Sequence, residues 1–154
     1  MTVKEYFEQG YRVKHLMEIY KTEIKELTEL AYSLSSPGFE ESYSASKSIA
    51  SPFENLIEKV VELQAEKERF MIRLIEYTKE RDSIIATLTD QDERLIMHYH
   101  YVMERTWVSI GKELFYDEKT IRRKAKNALA HIVLPKNAIQ IYEPTLSVEM
   151  TCQG

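Results

Sequence analysis

From Tyr6 to Leu34 the chain places apolar or small residues at alternating steps of four and three: Tyr6, Gly10, Val13, Met17, Tyr20, Ile24, Leu27, Ala31 and Leu34. A helix turns once per 3.6 residues, so this spacing lays the whole set along one seam, whereas strand alternation would scatter it over two faces. It predicts a single helix over about 2–34. Phe7, Leu16, Ile19 and Leu30 widen the seam. A stripe broader than two positions per heptad suits a multi-helix bundle better than a two-stranded coil.

Residues 35–52 interrupt the pattern. Pro37-Gly38 stops the helix and a Ser-rich run continues to Ser51-Pro52, which predicts a solvated connecting loop. A second seam follows through Leu56, Val60, Leu63, Phe70, Leu74, Tyr77, Ile84 and Leu88. It predicts a helix over about 53–88, with Ser51 as a cap and Pro52 in its first turn. Lys67 and Arg81 interrupt this seam, their stems able to lie along it. Two such helices predict a long antiparallel hairpin over residues 1–88. The hairpin alone leaves apolar flank exposed, so it is expected to oligomerise, as a homodimer in the simplest case. The same seams could instead bind another protein.

Thr89-Asp90-x-Asp92-Glu93 is expected to open a third helix through about Met103, with acids complementing the helix dipole. Leu95, Ile96, Tyr99 and Val102 supply its buried side. Two short helices follow within Thr106–Ile132. Trp107, Ile110, Gly111 and Leu114 form the apolar face of the first, and Gly111 is expected to let the second cross closely. Asp117 is a good N-cap for the second helix. At 100° per residue, Ala125, Ala128, Leu129 and Ile132 fall on the side of Ile121. Lys119, Arg122, Arg123 and Lys126 fall on the opposite side. Residues 89–133 therefore predict a three-helix module of the helix-turn-helix kind. Residues 134–154 lose helical period and are expected to form an extended or disordered tail, with Ile139 and Ile141 resting on the body.

Charge is segregated in the same way. The chain of 154 residues carries a formal net charge of −4, yet Arg105–Ile132 holds seven Lys or Arg and three acids. Residues 1–104 are strongly acidic by contrast. Positive charge gathered on one small module is the electrostatic footprint that a phosphate backbone requires. Lys119, Arg122, Arg123 and Lys126 are the candidates for the major groove of double-stranded DNA. Glu118 would repel phosphate but could accept from a cytosine amino group. Arg105, Thr106 and Lys112 are candidates for phosphate contacts.

The run Ile110-Gly111-x-x-Leu114, then Asp117-x-x-Thr120-Ile121-Arg122-Arg123-Lys124-Ala125-x-Asn127-Ala128-Leu129-x-x-Ile132, resembles the helix-turn-helix of sigma-factor region 4. The lead-in Leu88-Thr89-Asp90-x-Asp92-Glu93-Arg94-Leu95-Ile96 and Tyr101-Val102-x-x-Arg105-Thr106-Trp107 extends the resemblance over about residues 84–132. Together with the acidic helical N-terminal part, it is similar to the RinA/ArpU-like late-gene activators of phages and prophages of Gram-positive bacteria. That resemblance implies sequence-specific DNA binding and control of late or packaging genes. Activation would also need contact with RNA polymerase, for which the acidic hairpin is the candidate surface. The sequence departs from the pattern at Phe115, where such turns often hold Gly. A non-Gly residue at positive φ costs about 1 kcal/mol, which favours a different turn geometry here.

Two other readings stay open. A small terminase-like packaging protein also joins a helix-turn-helix to an oligomerising helical region. A protein-binding adaptor would use the basic helix on an acidic partner. The aromatics around the basic module could also stack on single-stranded bases, although Tyr99 and Trp107 suit a core. His98-x-His100 sits at i and i+2, about 200° apart on a helix, so it is a poor metal pair. His15 and His131 have no nearby carboxylate or cysteine pattern to recruit them. Phosphate-cradling Gly loops, nucleophile elbows and HExxH are missing, so no enzyme, metal or cofactor is expected. Cys152 stands alone in the tail. There is neither a signal-peptide core nor an apolar run of ~20 residues, which predicts a cytoplasmic protein with no membrane partner; the resemblance to phage regulators implies that this cytoplasm is that of a bacterial host cell.

Overall fold

The structure, a computed structural model, describes residues 1–34 and 51–141. Most of the Ser-rich loop and the tail beyond Ile141, Cys152 included, lie outside the described residues. The fold is all-α: α1 (Val3–Leu34), α2 (Pro52–Ile85), α3 (Gln91–Met97), α4 (Trp107–Leu114) and α5 (Glu118–His131), with no strand among the described residues. None of these helices is long and apolar enough to cross a membrane.

Both long helices begin at side-chain caps. Thr2 Oγ1 accepts from the Glu5 N–H while the Glu5 carboxylate accepts from the Thr2 N–H. The Thr2 N–H, and after it the Thr2 side chain, hold the Glu5 carboxyl below its usual pKa. At the start of α2, Ser51 Oγ accepts from the Glu54 N–H, the cap its position predicts.

The chain divides into two compact units, one of Met1–Val13 with Arg73 onward and the other of Lys14–Ile72. In the first, α1 and α2 meet through aromatics. The Tyr77 hydroxyl donates to the carbonyls of Tyr6 and Phe7, and its ring lies where a Cβ on Gly10 would come within 2.8 Å. Gly10 is thus a docking notch in the seam. Tyr6 donates to Glu80. Burial pushes the Tyr77 hydroxyl up to about 12, and burial together with Glu80 raises that of Tyr6 further still. Arg81, which interrupts the seam, is buried with its guanidinium against the Tyr77 ring and bonded to Asp82.

Residues after α5 are held to this unit as far as Ile141. The Gln9 side chain donates to the Ile139 carbonyl and accepts from the Ile141 N–H, at 2.7 and 3.0 Å. Glu80 accepts from the Ile139 N–H. The Ile141 side chain is buried. One amide side chain therefore satisfies backbone groups that an extended segment would otherwise leave unpaired.

In the second unit α1 and α2 also run antiparallel. Tyr20 stacks on Phe70 at 6.1 Å, and Ala31, Val60 and Leu63 are buried. Much apolar surface remains outside, including Ile19, Leu30, Val61 and Ile72.

The third helix does not continue in α form to Met103. After Met97 it widens into a π-helical turn over His98–Val102. Glu104 then takes a positive φ of 57°, and the Arg105 N–H closes the end on the Tyr99 carbonyl. The wide turn leaves all five of its residues partly buried. Tyr101 reaches Phe7 of α1, ring to ring at 5.3 Å, while His100 stacks on Trp107 of α4 at 3.6 Å. A single turn thereby touches both α4 and α1.

A candidate nucleic-acid interface on α5

Helices α3, α4 and α5 close around Ile96, Ile110, Ile121 and Ala125, with Tyr99, Trp107 and Leu114 against them. Each helix starts at a side-chain cap. Asp90 accepts from the N–H groups of Asp92 and Glu93, Thr106 from Ser109, and Asp117 from Thr120. Hydrogen bonding from Thr120, its side chain first and its N–H second, holds the Asp117 carboxyl below its ordinary value.

The turn between α4 and α5 corrects two expectations. Phe115 does occupy the left-handed region, φ 61° and ψ 40°, so the turn keeps the backbone that a glycine would adopt. The strain is accepted with the ring 94% exposed. The space at Gly111 serves the turn, not a helix crossing. A Cβ there would come within 2.6 Å of the Tyr116 carbonyl oxygen, while the Tyr116 N–H bonds back to the Gly111 carbonyl. Glycine is needed where the chain folds onto itself, one turn before the residue with positive φ.

The orientation of α5 follows from its burial. Ile121, Ala125, Ala128 and Ile132 are buried and Leu129 is half-buried, as their spacing predicts. Lys119, Arg122, Arg123 and Lys126 are brought together, exposed, on the outer face. Arg122 is partly engaged: Glu118 accepts from it at 2.8 and 3.0 Å, and its guanidinium carbon lies 6.0 Å from the Trp107 ring centroid. Arg122, Trp107 and His100 thus form a column running from the surface inward. Burial, with the Arg122 charge adding to it, holds His100 below its usual pKa. His100 Nδ1 lies 2.9 Å from the Arg105 carbonyl; the neutral ring donates that bond.

The remaining candidates separate. Lys112 and Thr106 are exposed. Arg105 is turned into the module, donating to Ser109 Oγ at 3.0 and 2.8 Å, pairing with Glu113 at 3.6 Å and lying over the Tyr99 ring. Its guanidinium organises the start of α4 more directly than it offers charge to solvent.

Two polar clusters are illegible in the sequence because their members are far apart along it. Tyr116 donates to Asp92 at 2.8 Å, and Lys124 pairs with the same carboxylate at 3.4 Å while lying over the Tyr116 ring. This cluster ties the turn, α3 and α5 together and draws Lys124 away from the outer face. His131 at the end of α5 meets the buried Glu93 of α3 at 3.0 Å, so the carboxylate that the sequence does not reveal comes from 38 residues away. Among the described residues no group of three His, Cys, Asp or Glu side chains is placed to hold a metal ion.

No protein-family model, curated protein or solved structure matches this chain.

Proposed function

We propose that this protein binds double-stranded DNA sequence-specifically as a transcription regulator of phage or prophage genes, an activator of late or packaging genes in a Gram-positive host. The observation that carries the reading is the exposed Lys119, Arg122, Arg123 and Lys126 on α5, opposite its buried side, in a protein of net charge −4. A helix held by its apolar face and capped at Asp117 can present such a row to the major groove. The sequence resemblance to sigma-factor region 4 supports the same docking.

In this mechanism Lys119, Arg122, Arg123 and Lys126 meet bases and flanking phosphates, and Glu118 is a candidate for a cytosine amino group. Lys112 and Thr106 approach the backbone. Arg105 reaches phosphate only by giving up Ser109 and Glu113, so its main part is to position α4. The Glu118–Arg122 pair holds the arginine along the helix surface before binding. Release of Arg122 toward a guanine edge would exchange an exposed ion pair, worth little, for a bidentate contact. A homodimer would favour paired half-sites through high effective concentration. Activation adds a contact with RNA polymerase, for which the acidic helices are the proposed surface.

Selection from a pool of random duplex DNA at ~150 mM salt tests the reading, since specific binding has to survive that screening. Enrichment of a motif is expected. Retention without enrichment would point to packaging or architectural binding, and no retention by folded protein to an adaptor with an acidic partner. Arg122→Ala is expected to weaken the selected site by ~1–3 kcal/mol where it reads a base. Uniform weakening across sequences with a smaller salt slope would make it a phosphate contact.

A further inference from the structure

Within the first compact unit, the start of α1 and the π-helical turn enclose a cleft of about 420 Å³, the size of a small-ligand site. Phe7, Glu8, Tyr11 and Arg12 line it from α1, and His100, Tyr101 and Glu104 from the turn and its end. Its walls are aromatic. The Phe7 ring lies 5.3 Å from that of Tyr101, His100 meets Tyr101 edge-on at 4.8 Å, and Tyr11 is 53% exposed.

The charges in this lining are acidic in balance, with the carboxylates of Glu8 and Glu104 against the guanidinium of Arg12. Burial holds His100 below its usual pKa, so its ring adds no positive charge. Arg12, and Lys4 from outside the cleft, each approach Glu8 at 3.7 Å. Both cations are mostly exposed, and such pairs rearrange at little cost. Burial, and after it the Glu8 charge, raises the Tyr101 hydroxyl above its ordinary pKa, so the field of Glu8 crosses the cleft. Glu104 holds a positive φ of 57° where the π turn ends. Both features concentrate at functional sites.

We propose that this cleft binds an organic cation, an ammonium or guanidinium group on an apolar stem. Glu8 and Glu104 hold its charge, and the rings of Phe7, Tyr11 and Tyr101 receive the stem and add cation–π attraction. Two carboxylates facing one guanidinium repel an anion such as phosphate. A bare metal ion is not served either, since no three His, Cys, Asp or Glu side chains converge among the described residues. The cation can arrive free, as a polyamine, or as the basic side chain of a partner protein. The inference does not rest on the DNA-binding reading.

The experiment is isothermal titration calorimetry of the full chain at fixed ionic strength with two probes. Acetyl-arginine amide stands for a protein side chain and spermidine for a free polyamine. Saturable one-to-one binding of at least one is expected, together with a change in the fluorescence of Trp107, on which His100 stacks at 3.6 Å. Acetyl-citrulline amide, similar in shape but uncharged, is expected to bind at least ~10-fold more weakly than the arginine probe. Glu8→Gln and Glu104→Gln are each expected to raise the dissociation constant of the cation about 5-fold, and Tyr11→Ala about 3-fold, with circular dichroism verifying that helicity is kept. Binding of the arginine probe alone supports a partner's side chain as the occupant, and binding of spermidine alone supports a polyamine. No saturable binding of either cation, equal binding of the citrulline probe, or unchanged affinity in both glutamine variants would each overturn the assignment.

Discussion

The three short helices around α5 and the helical pair of Lys14–Ile72 solve the same problem in opposite ways. In the module, every helix begins at a side-chain cap, and Ile96, Ile110 and Ile121 are wholly excluded from solvent. The tight turn spends strain at Phe115 and glycine at Gly111 to bring α5 onto that core. In the helical pair, length replaces closure: α1 and α2 share one seam, yet Val61 and Ile72 stay more than half exposed. Helices of seven, eight and fourteen residues are too short to stand alone and hold only through mutual packing. Longer helices can persist on a partial core. The difference teaches where function can be placed, with a rigid frame under the basic row.

Core truncation should break the comparison most sharply. Ile121→Ala is expected to cost about 2–5 kcal/mol, because a fully buried isoleucine leaves a cavity among Ile96, Ile110 and Trp107. Val61→Ala in the helical pair should change the stability of the monomer by less than ~0.5 kcal/mol. Urea unfolding followed by the fluorescence of Trp107 and by circular dichroism measures both, and equal costs would mean that the two regions are not packed differently.

Gly111→Ala is expected to destabilise by about 1–3 kcal/mol, since the added methyl meets a backbone carbonyl that cannot swing aside. Thermal unfolding reads this cost, and a loss no larger than that of an exposed helix substitution would show that the turn can open without penalty. Phe115→Gly should go the other way, gaining up to about 1 kcal/mol by relieving the left-handed strain, offset in part by the freer unfolded chain. A lower melting temperature would mean that the exposed ring makes a contact that stabilises the turn.

The smallest effect is expected at His100. Its folded pKa is depressed by burial, so its contribution to stability is full above the unfolded value near 6.5 and declines as pH falls below it. Because His100 stacks on the chain's one tryptophan, Trp107 fluorescence should report its protonation in the same range. His100→Gln should flatten that acid limb, and an unchanged pH profile would assign it to another group.

The same contrast explains what could be read from residues alone. Spacing sets which face of α1, α2 and α5 is apolar, because a regular helix maps sequence onto direction without help from distant residues. Asp90, Asp117 and Ser51 likewise act on N–H groups two or three positions away. The all-α class, the helix starts and the outward row of Lys119, Arg122, Arg123 and Lys126 were therefore local information. Tertiary structure decided the rest. It forced Phe115 into the left-handed region, turned Arg105 inward onto Ser109 and Glu113, paired His131 with Glu93, and drew Lys124 onto Asp92. It also widened His98–Val102 into a π turn. Each of these outcomes depends on groups brought close by packing rather than by sequence distance. Local spacing specifies a direction for a side chain, and only the packed fold specifies what stands there.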